Sequence, residues 1–155
     1  MSWGFFKRSV LIALVLPIGA CSWIWPKEKS LEVTVQAADN INPNTQAQAS
    51  PVVVRVYQLG RDQQFKTIDF FTLYGQEKET LGKALLAREE LEILPGDSTK
   101  LVTMLLPETR FIGALAALRK IDQAEWRALV AAPKVRKRLE IQVGLDDVKL
   151  RLQPR

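Results

Sequence analysis

Apolar and polar residues alternate along much of the chain, and that alternation predicts its strands. In Leu31-Glu32-Val33-Thr34-Val35-Gln36-Ala37 the character switches at every step, so Leu31, Val33, Val35 and Ala37 share the inward face of a half-buried strand. Pro51 opens Val52-Val53-Val54-Arg55-Val56-Tyr57-Gln58-Leu59, a β-branched run suited to a central strand buried on both faces for part of its length. Alternation resumes from Arg88 to Leu94, and Leu94-Pro95-Gly96-Asp97 is a turn signal. Ser98 to Leu106 is then expected to be the hairpin partner of the strand before it. Leu101, Thr103 and Leu105 fall on one face, and Val102, Met104 and Leu106 on the other. Val135 to Leu145 and Val148 to Leu152 predict a last pair of strands about Gly144-Leu145-Asp146-Asp147, with Leu139, Ile141, Val143, Val148, Leu150 and Leu152 pointing one way.

Other segments break the period. Ala38 to Ser50 is rich in turn formers (Asp39, Asn40, Asn42, Pro43, Asn44 and Ser50), and Gln46-Ala47-Gln48-Ala49 adds no apolar face. A loop of this length without structure of its own is commonly functional or disordered, and a partner-binding role is the reading adopted for it. Phe65 to Tyr74 is dense in aromatic and aliphatic residues and reads as a core plug rather than a ligand pocket. Gly75 to Ala87 predicts a short helix, with Leu81, Ala84 and Leu85 on one face and Glu79 four residues before Lys83. Arg110 to Val130 is ambiguous: Phe111 to Arg119 favours helix by propensity, whereas Gly113 and the spacing to hairpins on both sides favour a strand. Asp122 to Arg127 reads as a turn or one helical turn, with Trp126 closing over the core. Six or seven strands at short spacing, with Pro, Gly and Asp between them, argue an all-β, two-sheet antiparallel sandwich.

The N-terminus follows another pattern. Lys7 and Arg8 precede the apolar run Val10 to Leu16, and the stretch closes on Pro17-Ile18-Gly19-Ala20-Cys21. A charged start, a short apolar core and small residues at the end describe a secretory signal. The apolar core is about half of what a bilayer-spanning helix needs. Ile18-Gly19-Ala20-Cys21 fits a bacterial lipobox, whose small side chains admit the peptidase and whose thiol accepts the diacylglyceryl group. A buried free cysteine and an uncleaved N-terminal anchor, continued through Ser22-Trp23-Ile24-Trp25, are the competing readings. On the lipoprotein reading, residues 1–20 are a signal peptide, 21–30 a lipidated tether and 31–153 the β-sandwich domain. Ser22, rather than Asp, after the acylated cysteine points to the outer membrane. Trp23 and Trp25 can sit at the headgroup level or pack on the domain.

Composition narrows the chemistry. The chain has 155 residues and a formal charge of +5; without Lys7 and Arg8, its 22 basic residues become 20 against 17 acidic, near +3. Lys134, Arg136, Lys137 and Arg138 form the one dense basic cluster, read as a solvated strand edge over a nucleic-acid patch. Cys21 is the only cysteine and histidine is absent, so a disulfide within the chain is excluded and the usual general base and metal ligand are missing. Asp146-Asp147 reads as turn chemistry, because adjacent residues on a strand face opposite ways and make no carboxylate dyad. No catalytic residue, cofactor, metal site, nucleic acid or small-molecule substrate is expected.

Ser50 to Leu59, Phe65, Asp69-Phe70-Phe71-Thr72-Leu73, Leu94-Pro95-Gly96, Ile112 to Arg119 and Trp126-Arg127, in this order behind a lipobox, resemble the outer-membrane lipoprotein family of the type VI secretion system, TssJ (SciN, VasD). One departure is Leu118 and Lys120, where the family pattern implies an aromatic residue and an acid. The resemblance implies a transthyretin-like sandwich of about eight strands, with a small helical insertion near residues 75–87. It also implies a role, tying the periplasmic domain of the inner-membrane protein TssM to the outer membrane. The loop between the first two strands would carry the contact, here Asp39, Asn40, Ile41, Asn42, Pro43, Asn44, Thr45, Gln46, Ala47, Gln48, Ala49 and Ser50. A small-ligand-binding lipoprotein and a pilotin-like escort are the alternatives.

Overall fold

The alternation resolves into two facing sheets. A computed structural model describes residues 29–134 and 137–154. The strands are β1 (Lys29–Ala37), β2 (Val52–Leu59), β3 (Leu85–Ile93), β4 (Ser98–Leu105), β5 (Phe111–Ala116), β6 (Arg127–Ala131), β7 (Lys137–Val143) and β8 (Val148–Pro154). One sheet runs β4-β1-β7-β8 and the other β3-β2-β5-β6. Neighbours are antiparallel except β1 and β7, which pair in parallel from Glu32↔Arg138 to Ala37↔Val143. Leu31, Val33 and Val35 of β1 meet Val52, Val54 and Val56 of β2 in a core completed by Ile112, Leu139 and Ile141, all buried. Arg110 to Val130, ambiguous by propensity, is strand at both ends, with a 3-10 turn at Ile121–Gln123 between β5 and β6.

Three short helices separate β2 from β3: α1 (Gln63–Thr67), α2 (Phe70–Gly75) and α3 (Glu77–Leu81), followed by a 3-10 turn at Gly82–Ala84. Helical structure therefore begins well before the expected 75–87, and Leu85 to Ala87 belong to β3, drawn in by pairing with Leu59 and Gln58. The cause is local. Asp69 caps α2, its carboxylate accepting from the Thr72 N–H at 3.0 Å, and Gly82 at φ +49° ends α3. These turns cover the outer face of the second sheet. Phe65, Leu73 and Leu81 pack there on Tyr57, Leu59 and Leu115, with Trp126 partly buried against them, while Phe71 stays 71% exposed. Gly113 makes the close approach possible, since a Cβ there would fall 2.7 Å from Cζ of Phe65.

Two expectations are corrected. β4 is not the hairpin partner of β3: β3 pairs with β2, and β4 crosses to the other sheet to pair with β1 from Gln36↔Ser98 to Lys29↔Leu105. The turn between them bonds to the end of β1 instead, with Gly96 N–H donating to Ala38 O at 3.2 Å and Ala37 N–H donating to Asp97 O at 2.9 Å. Alternation shows which face is buried, not which neighbour a strand takes. The basic cluster is not a strand edge either. Lys137 and Arg138 lie on β7, between β1 and β8, and Arg138 is exposed and reaches Glu32 at 3.3 Å. Arg136 falls outside the described residues.

Candidate functional site

The loop Asp39–Ser50 divides into a buried base and an exposed tip. Ile41 is wholly buried in the inter-sheet core, and Asn42 and Ser50 are buried beside it. The base is closed by Ser50 N–H donating to Ile41 O at 3.1 Å. Asn42 holds it to two other segments: Nδ2 donates to Pro51 O at 2.6 Å and Oδ1 accepts from Arg119 N–H at 2.8 Å. Its backbone sits at φ +49°, a left-handed conformation that asparagine tolerates better than most residues.

The tip is organised by Asn44. Its Oδ1 accepts from the N–H groups of Gln46 and Gln48, both at 2.9 Å, and its backbone N–H donates to Gln48 O at 2.8 Å. Asn44 thus replaces by its side chain the backbone pairing that a strand would give. Thr45, Gln46, Ala47, Gln48 and Ala49 are left exposed, with Ala47 at φ +59°. Asp39 and Asn40 are exposed at the start of the loop, and Pro43 and Asn44 are half-buried. Of the residues expected to bind a partner, Ile41, Asn42 and Ser50 are therefore turned into the domain.

Residues from outside the loop share this end. Leu118, Arg119, Lys120, Ala124, Leu145 and Asp146 surround Asn42 and Pro43 about a cavity of only about 10 Å³, roughly the room for one water. They are brought together by topology: the end of β5, the 3-10 turn and the β7–β8 turn all arrive beside the loop. Spacing in the sequence carried no sign of this. Cys21 and Ser22 lie outside the described residues.

A buried charge cluster elsewhere is fully engaged in structure. Arg55 donates to Glu90 at 2.6 Å, Tyr74 O at 2.7 Å and Glu77 at 3.3 Å, and its guanidinium lies 3.8 Å from the Tyr74 ring centroid. Tyr57 O–H donates to the same Glu77 carboxylate at 3.0 Å, and Arg88 pairs with it at 2.9 Å. Burial pushes the Tyr57 phenol up. Burial opposes the Arg55 charge, but its bonds to Glu90 and Tyr57 and the Glu77 charge hold its pKa above the ordinary value. Every charge is matched, so the cluster fastens α3 to β2 and β3 and leaves no group free to do chemistry. Among the described residues there is no cluster of three or more metal-ligating side chains and no helix long and apolar enough to cross a membrane.

Comparison with known proteins agrees with this architecture. Residues 29–148 match the family described as type VI secretion lipoprotein, VasD, EvfM, TssJ. The type VI lipoprotein TssJ1 from Pseudomonas aeruginosa superposes with a TM-score of 0.78 at 30% identity, covering 83% of this chain and 98% of that one. Serratia marcescens Lip, a membrane-bound component of the type VI secretion system, gives 0.73 at 24% identity, over 79% and 96%. A chain of the structure named for the type VI protein TssM C-terminal domain from EAEC shares the fold at a TM-score of 0.65 and 23% identity, over 82% and 99%. No curated protein matches the sequence. With the family profile spanning both sheets and the helical insertion, this chain belongs to the type VI secretion lipoprotein family, TssJ.

Proposed function

We propose that the chain is exported, acylated at Cys21 and sorted by Ser22 to the outer membrane, where it holds the periplasmic domain of a TssM-like inner-membrane protein. Residues 1–20 act as the signal peptide, 21–30 as the tether and 31–153 as a rigid spacer. The tip Thr45–Ala49 makes the contact. Family membership supports the setting, and a family-like fold in a structure named for the TssM C-terminal domain supports the partner.

The observation that carries the reading is the placement of the loop on β1. The tether's last two residues, Lys29 and Ser30, already pair in β1, and the loop leaves from the last residue of β1, Ala37. The eight steps from Lys29 to Ala37, at about 3.3 Å each, put roughly 26 Å between the two attachments. The base is fixed by the core and the tip is free, which is how a contact surface is presented with little ordering cost. Anchoring confines the tip to a plane near the membrane, so a modest loop affinity gains from high local concentration.

The test is co-purification from membranes with a TssM-like periplasmic domain. Replacing Thr45–Ala49 with a Gly/Ser segment of equal length is expected to abolish recovery of the partner while the domain keeps its thermal transition. Cys21→Ser is expected to leave binding in solution intact but to abolish secretion. Undiminished recovery with the replaced tip refutes the contact, and normal secretion by Cys21→Ser refutes the tether.

A further inference from the structure

The two sheets are finished differently on the outside. The helices cover β3-β2-β5-β6, whereas among the described residues no helix covers the outer face of β4-β1-β7-β8. That face carries a short apolar stripe: Val102 is 69% exposed, Met104 46% and Leu106 39%. Single exposed apolar residues need no explanation, but Val102 and Met104 share the outward face of edge strand β4, and Leu106 lies just past its end at Leu105. The strip lies where the tether arrives, because Met104 is the register partner of Ser30 and Val102 of Glu32. Lys100, exposed, continues the same face of β4, and the neighbouring Glu32 is matched by Arg138 at 3.3 Å.

We infer that Val102, Met104 and Leu106 seat the domain on the lipid leaflet that holds its anchor. The inference rests on acylation of Cys21, proposed above. Ser22 to Lys29 is eight residues, with a reach of at most about 29 Å when fully extended. Met104 pairs with Ser30, one residue past the start of β1 at Lys29, so the strip lies beside the point where the tether enters the domain. Apolar side chains entering the headgroup boundary, with Lys100 beside them facing lipid phosphates, are the chemistry of a peripheral membrane contact. The membrane occupies this strip in preference to a soluble partner because the anchor holds the membrane there permanently.

Cys21 is the only cysteine, so Met104→Cys in the acylated full-length protein gives a unique labelling site. The protein is reconstituted into phosphatidylethanolamine–phosphatidylglycerol vesicles and labelled with an environment-sensitive fluorophore. Gln48→Cys at the loop tip, labelled in the same way, is the reference. Lipids spin-labelled at headgroup level are expected to quench the probe at 104 several-fold more than the probe at 48, with a blue shift at 104 that disappears in Val102→Asp. Equal quenching at the two positions overturns the seating while flotation of the vesicles leaves the anchor standing. A probe at 104 that is shielded without lipid quenching, and more so at higher protein density, overturns it in favour of a second copy. Intact mass without acyl chains, with protein that does not float, overturns the anchor and the seating together.

Discussion

Asn42→Ala separates the base of the loop from its tip. Asn42 is 6% exposed, so it makes little direct contact with any partner, yet its two side-chain bonds tie the loop to Pro51 and Arg119. Losing both costs about 1 kcal/mol each. Alanine at φ +49° adds roughly 1 kcal/mol of backbone strain that asparagine largely escapes. The sum is about 3 kcal/mol, reduced where water reaches the half-buried Arg119 amide. In urea denaturation of the acyl-free Cys21→Ser protein, an m-value of about 1–3 kcal/mol per M turns this into a midpoint shift of about 1–3 M at unchanged slope. Asn42→Gly removes the strain but not the lost bonds and is expected to recover about 1 kcal/mol relative to alanine. Affinity for a TssM-like domain is expected to fall in both variants, because a loosened base must be reordered on binding. A midpoint within experimental error of the parent, or alanine and glycine variants of equal stability, refutes the account.

Gln58 predicts a second weak point. Its Nε2 donates to Thr103 Oγ1 at 3.2 Å and Met104 O at 2.9 Å, and its Oε1 accepts from Leu106 N–H at 3.0 Å and Thr109 O–H at 2.8 Å. Gln58→Leu orphans these partners and is expected to cost about 2–4 kcal/mol in chemical denaturation, at about 1 kcal/mol per bond; a loss below half a bond's worth refutes it. Gly113→Ala drives a methyl against the Phe65 ring and is expected to cost about 1–3 kcal/mol, as overpacking does, with Phe65→Leu partly restoring the melting temperature. Asp69 lies below the ordinary carboxylate range because the Thr72 N–H bonds it in the fold. Its contribution is complete above the unfolded carboxylate pKa and is lost as pH falls through the folded one. Asp69→Asn should therefore flatten the acid side of a melting-temperature profile taken between about pH 6 and pH 3, and an unchanged profile refutes the assignment.

How legible the chain was depends on the scale of the interaction. Period-two alternation is set by a single strand's contact with the core, so Leu31 to Ala37, Val52 to Leu59 and Val148 to Leu152 could be read one strand at a time. The sheet assignment of β4 could not, because it turns on bonds from Gly96 and Asp97 to the end of β1, some sixty residues earlier in the chain. The early helices were obscured because Phe65, Phe70, Leu73 and Tyr74 serve a second core outside the sandwich, and aromatic density alone does not say which core it fills. Asp69 ahead of Phe70 was the available signal, an acidic N-cap before an apolar run. The loop was legible as a segment from its turn formers. Its division into base and tip was not, because Ile41 is drawn inward by the hydrophobic core and Asn42 by the Arg119 amide.

β1 explains why such a domain suits a tether. It is an interior strand, bonded to β4 along Lys29–Gln36 and to β7 along Glu32–Ala37. A pull between the membrane anchor and a partner on the loop would run along β1, from Lys29 toward Ala37. Load in that direction is carried by the extended backbone of β1 itself, while the bonds on both sides hold the strand in register. The far end is fixed further, with Ala37 N–H on Asp97 O and Ala38 N–H on Val143 O, both at 2.9 Å. Next to the tether, Gln58 reaches across from the second sheet to the end of β4. On the proposed function, β1 would set the distance between anchor and clamp, and weakening Gln58 or Asn42 is expected to loosen contacts near its opposite ends.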